Sequence, residues 1–219
     1  MKVMIVPHVL DDFLHRCVNE YVDAERKQHA PRQWGILAGK QGTSILVVEA
    51  LYYASNVRDV DADVIAEYHD QRAPKFGGVY KDRRRGYQSD ARELLTVIHE
   101  AEAVHQEILG SIHMHADLHN IDRPDDLSPV ISQSASPTDH DLFQASGWPL
   151  NMILYVERYE RALHWTVTAW VPGNEQNPSE YREIPVLMQW PEPADERVVP
   201  KVVDRPRVTG SPRTGITTD

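Results

Sequence analysis

Cysteine is almost missing from this sequence. Cys17 is the only cysteine among 219 residues, so no disulfide can form within the chain and no thiolate cluster can hold zinc. So low a cysteine content favours a reducing compartment, and we expect a cytoplasmic protein. Any metal would have to be bound by histidine and carboxylate side chains, and the chain has 11 histidines.

Long apolar runs and basic charge are also scarce. No stretch is long enough to cross a bilayer, and residues 1–9 lack the apolar core and cleavage site of a secretory signal. With 23 basic against 33 acidic residues the net charge is −10, which opposes the phosphate neutralisation that general nucleic-acid binders require. We therefore expect neither a nucleic-acid partner nor a membrane partner.

The hydrophobic periodicity predicts a mixed α/β (α+β) fold with one domain over residues 1–190. Apolar residues at three- and four-residue steps indicate helices, and short alternating or continuous apolar runs indicate strands. The four tryptophans on or beside the later strands (148, 165, 170 and 190) are assigned to core or interface. Helices are predicted at 9–27, 89–107 with Ser89 as its N-cap, and 139–146; strands are predicted at 3–6, 34–39, 44–53, 109–115, 150–156, 162–171 and 184–190.

Three segments lack sustained periodicity. Residues 57–90 and 116–135 are predicted to be long loops or insertions, the first with a short helix near 64–69. Residues 191–219 are rich in proline and polar side chains, and they carry too few large apolar groups to offset the entropy of ordering. We predict a disordered C-terminal tail.

His113 and His115 are the strongest chemical signal in the chain. On a strand, residues i and i+2 point to the same side, so both imidazoles can reach one ion while Ile112 and Met114 face the core. An aspartate at the start of the following helix can supply a third ligand. Three protein ligands with an open fourth position are typical of catalytic zinc.

Several motifs occur in an order that is similar to that of a known family. A Gly-x-Leu-x-Gly strand follows the first helix, an apolar strand ends in Asn56, and a His-x-His strand precedes a Ser-x-x-Asp sequence. This order resembles the JAB/MPN family of JAMM metalloproteases and isopeptidases, over about residues 1–190. The resemblance implies a curved mixed β-sheet flanked by two main helices. The motifs are Gly35-Ile36-Leu37-Ala38-Gly39, Gly110-Ser111-Ile112-His113-Met114-His115 and Ser136-Pro137-Thr138-Asp139.

The resemblance also implies a site and an activity. His113, His115 and Asp139 would bind Zn²⁺, and Ser136 would hydrogen-bond the metal-bound water or the oxyanion of the intermediate. Thr138 and Asp141 repeat the Ser-x-x-Asp spacing, so Asp141 is an alternative third ligand. The implied reaction is cleavage of a peptide or isopeptide bond, with a protein or peptide substrate such as the tail of a ubiquitin-like protein.

One departure from the family pattern bears on catalysis. The family's general-base glutamate stands three residues before the first glycine of its strand, where this chain has Arg32, with Gln33 beside it. Loss of a positioned base costs roughly a hundredfold to ten-thousandfold in rate. The second hypothesis is therefore a weak or inactive MPN scaffold that binds a partner subunit. Glu49 and Glu67 are candidates for a replacement base.

A third interpretation rests on the sequence from His113 to His119. It is close to the His-x-His-x-Asp-His motif of metallo-β-lactamase folds, but Leu118 separates Asp117 from His119. That fold needs further histidine ligands later in the chain, and His164 is the only histidine after residue 141. We rank this hydrolase class below the other two.

Overall fold

A computed structural model describes residues 1–27, 32–83, 86–117, 135–159, 162–173 and 180–188. Within these ranges the chain forms one eight-stranded mixed sheet and five α-helices. The helices are α1 (Pro7–Lys27), α2 (Ala62–Glu67), α3 (Ala73–Phe76), α4 (Ala91–Ala103) and α5 (Pro137–Ser146); the strands are β1 (Lys2–Ile5), β2 (Trp34–Gln41), β3 (Ile45–Tyr52), β4 (Glu107–Ala116), β5 (Leu150–Tyr159), β6 (Ala162–Pro172), β7 (Tyr181–Ile184) and β8 (Val186–Met188).

The sheet curls until it is nearly closed. Its strand order is β7-β6-β5-β4-β2-β3-β1-β8, so β7 and β8 stand at opposite ends. Only Pro185 separates these two strands in the chain, and so short a connection spans roughly 7 Å at most. The two ends of the sheet must therefore meet, and the backbone N–H of Val3 in β1 donates to the Pro185 carbonyl at 3.1 Å. The result is a barrel-like sheet.

Helix α1 fills the inside of this curl. Its buried residues recur at helical spacing, and they join one apolar cluster with residues of β1 to β7. A helix whose apolar stripe reaches that many strands has to lie within the concave face. Proline at the first position of α1 is compatible with a helix start. The buried residues of the stripe are Val9, Leu10, Phe13, Cys17, Tyr21 and Ala24.

The opposite, convex face of the sheet carries a smaller apolar cluster under α5. Phe143 of α5 packs there with Ile153, Tyr155 and Trp170 from β5 and β6. The register of β4 and β5 aligns His113 with Ile153 and His115 with Tyr155. The two histidines therefore belong to the face that α5 covers.

The described part of residues 57–90, which comprises 57–83 and 86–90, is more ordered than the predicted loop. The expected short helix is present as α2, and a π-helical turn (Tyr68–Arg72), α3 and a 3₁₀ turn (Gly78–Lys81) follow it directly. The two ends of the segment are joined, because Asn56 and Ser89 form an isolated β-bridge. We call residues 57–90 the insertion.

Two sequence-based predictions need correction. Helix α4 begins after Asp90, not Ser89, because the Asp90 side chain accepts the N–H groups of Arg92 and Glu93. The predicted final strand at 184–190 is not one element: β7 completes an antiparallel meander with β5 and β6, whereas β8 pairs in parallel with β1. The change of sheet edge at Pro185 has no local sequence signal.

Some predictions lie outside the described residues. Most of the second predicted loop (116–135) and the whole predicted tail (191–219) belong to parts of the chain that the structure does not describe. Among the described helices, none combines the length and the apolar character that a membrane crossing requires.

Candidate metal centre

Strand β4 presents the two histidines on the convex face of the sheet. Ile112 and Met114 are buried in the α1 cluster, as alternation along the strand predicts. Nε2 of His113 and Nε2 of His115 lie 3.1 Å apart. The His115 ring packs edge-on against Tyr155, with centroids 5.3 Å apart, which helps to fix its orientation.

Gly110 allows β4 to approach β5 three residues before the first histidine. It pairs with Leu150, and a Cβ atom at this position would lie 1.6 Å from the Leu150 carbonyl oxygen. No side chain can occupy that space, so glycine is required by close packing of the two backbones. The strand pair that carries the site depends on this contact.

The first turn of α5 brings Asp139 to the histidines. Ser136 is the N-cap, its Oγ accepts the backbone N–H of Asp139 at 3.2 Å, and Oδ2 of Asp139 accepts the backbone N–H of Ser136 at 2.7 Å. This reciprocal capping box holds the carboxylate at the helix N-terminus, where the helix dipole favours negative charge. The helix predicted at 139–146 is present but begins two residues earlier, at Pro137, with Ser136 as its N-cap.

The three predicted metal ligands converge on one point. Oδ1 of Asp139 lies 3.3 Å from Nε2 of His113, and Oδ2 lies 3.4 Å from Nε2 of His115. In a tetrahedral zinc site with bonds of about 2.0–2.1 Å, ligand atoms are separated by about 3.3 Å. The two histidine nitrogens are separated by nearly that distance, and each carboxylate oxygen of Asp139 lies at about that distance from one of them, so the three side chains can surround a zinc ion with the carboxylate bound through one or both oxygens.

Burial and hydrogen bonding determine the protonation states of His113 and Asp139. Burial lowers the pKa of His113 below its usual value, and the nearby Asp139 carboxylate only partly offsets this effect. Burial alone would raise the pKa of Asp139, but the hydrogen bonds from His113 and His115 outweigh it and hold that pKa well below its usual range. A neutral His113 beside an ionised Asp139 is the protonation state that binds a metal.

Asp141 does not join this group. Its carboxylate forms ion pairs with Lys75 and Arg72 of the insertion, and Arg72 also pairs with Glu67 at 3.0 Å. The alternative third ligand is therefore engaged by the insertion, and its carboxylate anchors the insertion to α5. Glu67 is thus linked through Arg72 to Asp141.

Arg32 turns away from the histidines. The backbone N–H of Met114 donates to the Gln33 carbonyl at 2.9 Å, which continues the β2–β4 register and places the Arg32 backbone opposite His115. Its guanidinium, however, donates to the Arg83 carbonyl at 3.0 Å and pairs with Asp59 at 3.1 Å. The positive charge at the family's base position is thus neutralised by the insertion.

The other candidate residues lie elsewhere. Glu49 pairs with Lys40 at 3.0 Å, near the start of β4 and about 20 Å along the sheet from His113. Asp117, part of the metallo-β-lactamase motif, accepts the hydroxyl of Tyr21 and the backbone N–H of Arg158. His119 is outside the described residues, and the ring of His164 packs on Tyr159.

An aromatic group beside the histidines has no counterpart in the predicted site. Trp34, the first residue of β2, is aligned with His113 and stacks on Tyr87 of the insertion, with ring centroids 4.9 Å apart. Trp148, which was assigned to core or interface, lies 6.3 Å from Trp34. The register of β2 and β4, had it been known, would have placed Trp34 beside His113. The position of Tyr87 depends on how the insertion folds. We call these three residues the aromatic wall.

Comparison with known proteins adds little to this geometry. No protein-family model and no curated protein matches the chain. Among solved structures, protein DSY2949 from Desulfitobacterium hafniense is 13% identical, with a TM-score of 0.49 over 85% of this chain and 92% of that protein. A protein from Salinibacter ruber is 20% identical, with a TM-score of 0.42 over 90% of this chain and 97% of that one. Neither likeness bears on function.

Proposed function

We propose that the chain is a zinc-dependent hydrolase of the JAMM type, which cleaves a peptide or isopeptide bond with a metal-activated water. The observation that carries the proposal is the set of separations among His113, His115 and Asp139, between 3.1 and 3.4 Å. Among the described residues, no other group of histidines, cysteines and carboxylates comes together in this way. Two histidines and one carboxylate leave one tetrahedral position for water or substrate.

Each ligand has a defined part in this proposal. His113 and His115 offer Nε2 lone pairs, and Asp139 supplies the one negative charge among the three ligands. Zinc, when bound, would lower the pKa of its water and polarise the substrate carbonyl. The partial burial of all three side chains, with exposures of 15%, 30% and 8%, reduces solvent screening around the ion.

Ser136 would stabilise the oxyanion of the intermediate. Its Oγ already accepts the N–H of Asp139, so its own proton can be donated to a developing negative charge. The N-terminus of α5 points the same way and adds a favourable dipole. These groups are fixed by the capping box before substrate arrives.

Membership of the JAB/MPN family is part of the proposal. The motifs that run from Gly35 to Asp139 support it, and so does the meeting of the His-x-His and Ser-x-x-Asp residues at one site. By the same resemblance the substrate would be a protein or peptide, with the tail of a ubiquitin-like protein as the first class to try. The insertion, which is anchored beside the triad through Asp141, is positioned to contact such a substrate.

The decisive test is metal content together with cleavage. The full-length protein is expected to carry about one zinc per chain by mass spectrometry, and to cleave at least one member of a panel of tail-fused ubiquitin-like substrates. His113→Ala with His115→Ala should lose both properties, whereas His164→Ala, which alters a histidine packed on Tyr159, should keep both. A zinc-free wild type, after loading with excess zinc and desalting, would disprove the proposal.

A catalytically silent MPN scaffold is the second candidate. The observation that favours it is Arg32, which stands where the family has its general base and is neutralised by Asp59. Such a protein, with or without bound metal, would show no cleavage of any substrate in the panel. It would bind a partner subunit in a complex, and co-purification at fixed stoichiometry is the measurement that supports it.

A further inference from the structure

The aromatic wall lies beside the candidate metal centre, on the same face of the sheet as the two histidines. Trp34 is the direct cross-strand neighbour of His113, so its side chain leaves the same face of the sheet as the metal ligands. Cβ atoms of such pairs are only about 5 Å apart. The side chain of Trp34 therefore starts beside that of His113, on the β2 side of the proposed zinc position.

Three segments that are distant in sequence contribute to the wall. Trp34 comes from β2, Tyr87 from the end of the insertion and Trp148 from the connection between α5 and β5. All three side chains are half-buried, and none belongs to the apolar cluster around α1 or to the one under α5. The wall is a separate, partly exposed aromatic group beside the triad.

The wall is also held rigidly. The Tyr87 hydroxyl donates to the Ala54 carbonyl at 2.5 Å, and the Tyr87 carbonyl accepts the Tyr68 hydroxyl at 2.9 Å. Tyr87 stacks on Trp34 with an interplanar angle of 20°. A ligand that binds to rings fixed in this way loses little additional conformational entropy, which favours affinity.

We infer that the aromatic wall is a specificity subsite that accepts a large apolar side chain, best an aromatic ring, on the substrate residue next to the bond being cleaved. This inference rests on the proposed function, because the wall acquires this role only if the triad binds the reacting carbonyl. The Arg32 guanidinium, two residues before Trp34, is already paired with Asp59. The three wall side chains are aromatic, so the subsite selects by apolar contact and ring stacking.

Two metal-binding probes measure the contribution of the aromatic wall to affinity separately from that of the metal site. Acetohydroxamate and phenylacetohydroxamate present the same chelating group, and only the second carries a ring. Calorimetric titration of the zinc-loaded full-length protein should show phenylacetohydroxamate binding about tenfold more tightly, a ratio within reach of one aromatic contact and its buried area. Acetohydroxamate affinity reports on the metal site alone.

Variants of the wall should remove the preference and leave the metal site intact. Trp34→Leu keeps apolar volume at the start of β2, and Tyr87→Leu changes the insertion side of the wall. Each is expected to reduce the tenfold ratio to about threefold or less, with unchanged zinc content and unchanged acetohydroxamate affinity. Tyr159→Leu, at an aromatic residue that is 53% exposed at the far end of β5, should keep the full ratio.

The outcomes distinguish this inference from the proposed function. The subsite would be disproved if the wild type bound the two probes with equal affinity. It would also be disproved if the preference persisted in both Trp34→Leu and Tyr87→Leu. Neither outcome would contradict the metal centre. A protein that retains no zinc and binds neither probe would overturn both. Circular dichroism of each variant establishes folding, and two variants in different elements ensure that one misfolded protein does not decide the result.

Discussion

Ser136 and Asp139 hold each other through reciprocal hydrogen bonds of 2.7 and 3.2 Å at the first turn of α5. The same Asp139 carboxylate lies against both histidines of β4. One side chain therefore caps a helix and completes the candidate metal centre. The stability of α5 and the affinity of the site for zinc are coupled through this pair.

Replacement of the cap is expected to weaken both properties together. Ser136→Ala removes the oxygen that accepts the Asp139 N–H, which should lower the free energy of unfolding by about 1 kcal/mol. Zinc affinity should fall by about tenfold, because the carboxylate loses part of its support. Urea denaturation and competitive zinc titration measure the two effects. Ser136→Thr, which retains a capping hydroxyl, is the matched control, and equal losses in both variants would argue against the coupling.

The close approach of β4 and β5 at Gly110 leads to a second prediction. Gly110→Ala would place a Cβ atom 1.6 Å from the Leu150 carbonyl oxygen, so the two strands would have to separate. We expect a loss of about 3 kcal/mol or more in the free energy of unfolding, together with loss of zinc, because the histidines would be displaced. Gly78→Ala is the control, since a Cβ there meets nothing within 4 Å. A Gly110→Ala protein with wild-type stability would contradict the packing.

The burial of His113 predicts how the metal-free protein responds to pH. Because the pKa of His113 is lowered in the folded state, the unfolded chain takes up a proton first as the pH falls below about 6.5. The stabilisation that His113 provides is therefore fully present above a pH of about 6.5. It is lost as the pH falls from there towards the lower pKa that His113 has in the folded protein. The slope for one proton is at most about 1.4 kcal/mol per pH unit. Asp139, whose pKa is also lowered, acts in the same direction below about pH 4.

Chemical denaturation of the chelator-treated protein between pH 7.5 and 5.5 measures this dependence. His113→Gln should flatten the curve in that range, and His164→Gln, at a partly exposed histidine of β6 outside the metal centre, is the matched control. Parallel curves for the wild type and His113→Gln would show that His113 titrates normally.

Much of the candidate site follows from short-range rules. Alternation along a strand was enough to place His113 and His115 on one face, and capping preferences located Ser136 and Asp139 at a helix start. These signals depend only on neighbouring residues. The choice between Asp139 and Asp141 did not follow from the sequence, because it is made by Lys75 and Arg72, more than 60 residues earlier in the chain.

The closure of the sheet could not be predicted for a similar reason. Strand β8 pairs with β1, more than 180 residues earlier in the chain, through three described residues after Pro185. Periodicity identifies strands but carries no information about which distant strand is the partner. The direction of the Arg32 side chain is equally non-local, because it is determined by Asp59 and Arg83 of the folded insertion.

The position of Arg32 gives the sharpest test of catalytic competence. Its backbone lies opposite His115, so a glutamate at this position would leave the same face of the sheet as the triad. Asp59, now paired with Arg32 at 3.1 Å, would repel that glutamate, and for this reason the variant should combine Arg32→Glu with Asp59→Asn. We expect at least about a hundredfold faster cleavage of the best substrate, with unchanged zinc content, because a base is restored beside the metal. Arg16→Glu with Asp12→Asn makes the same charge changes in an exposed ion pair of α1 and should leave the rate unaltered. A drop in rate for the Arg32 variant would instead assign Arg32 an active part in the reaction of the natural protein.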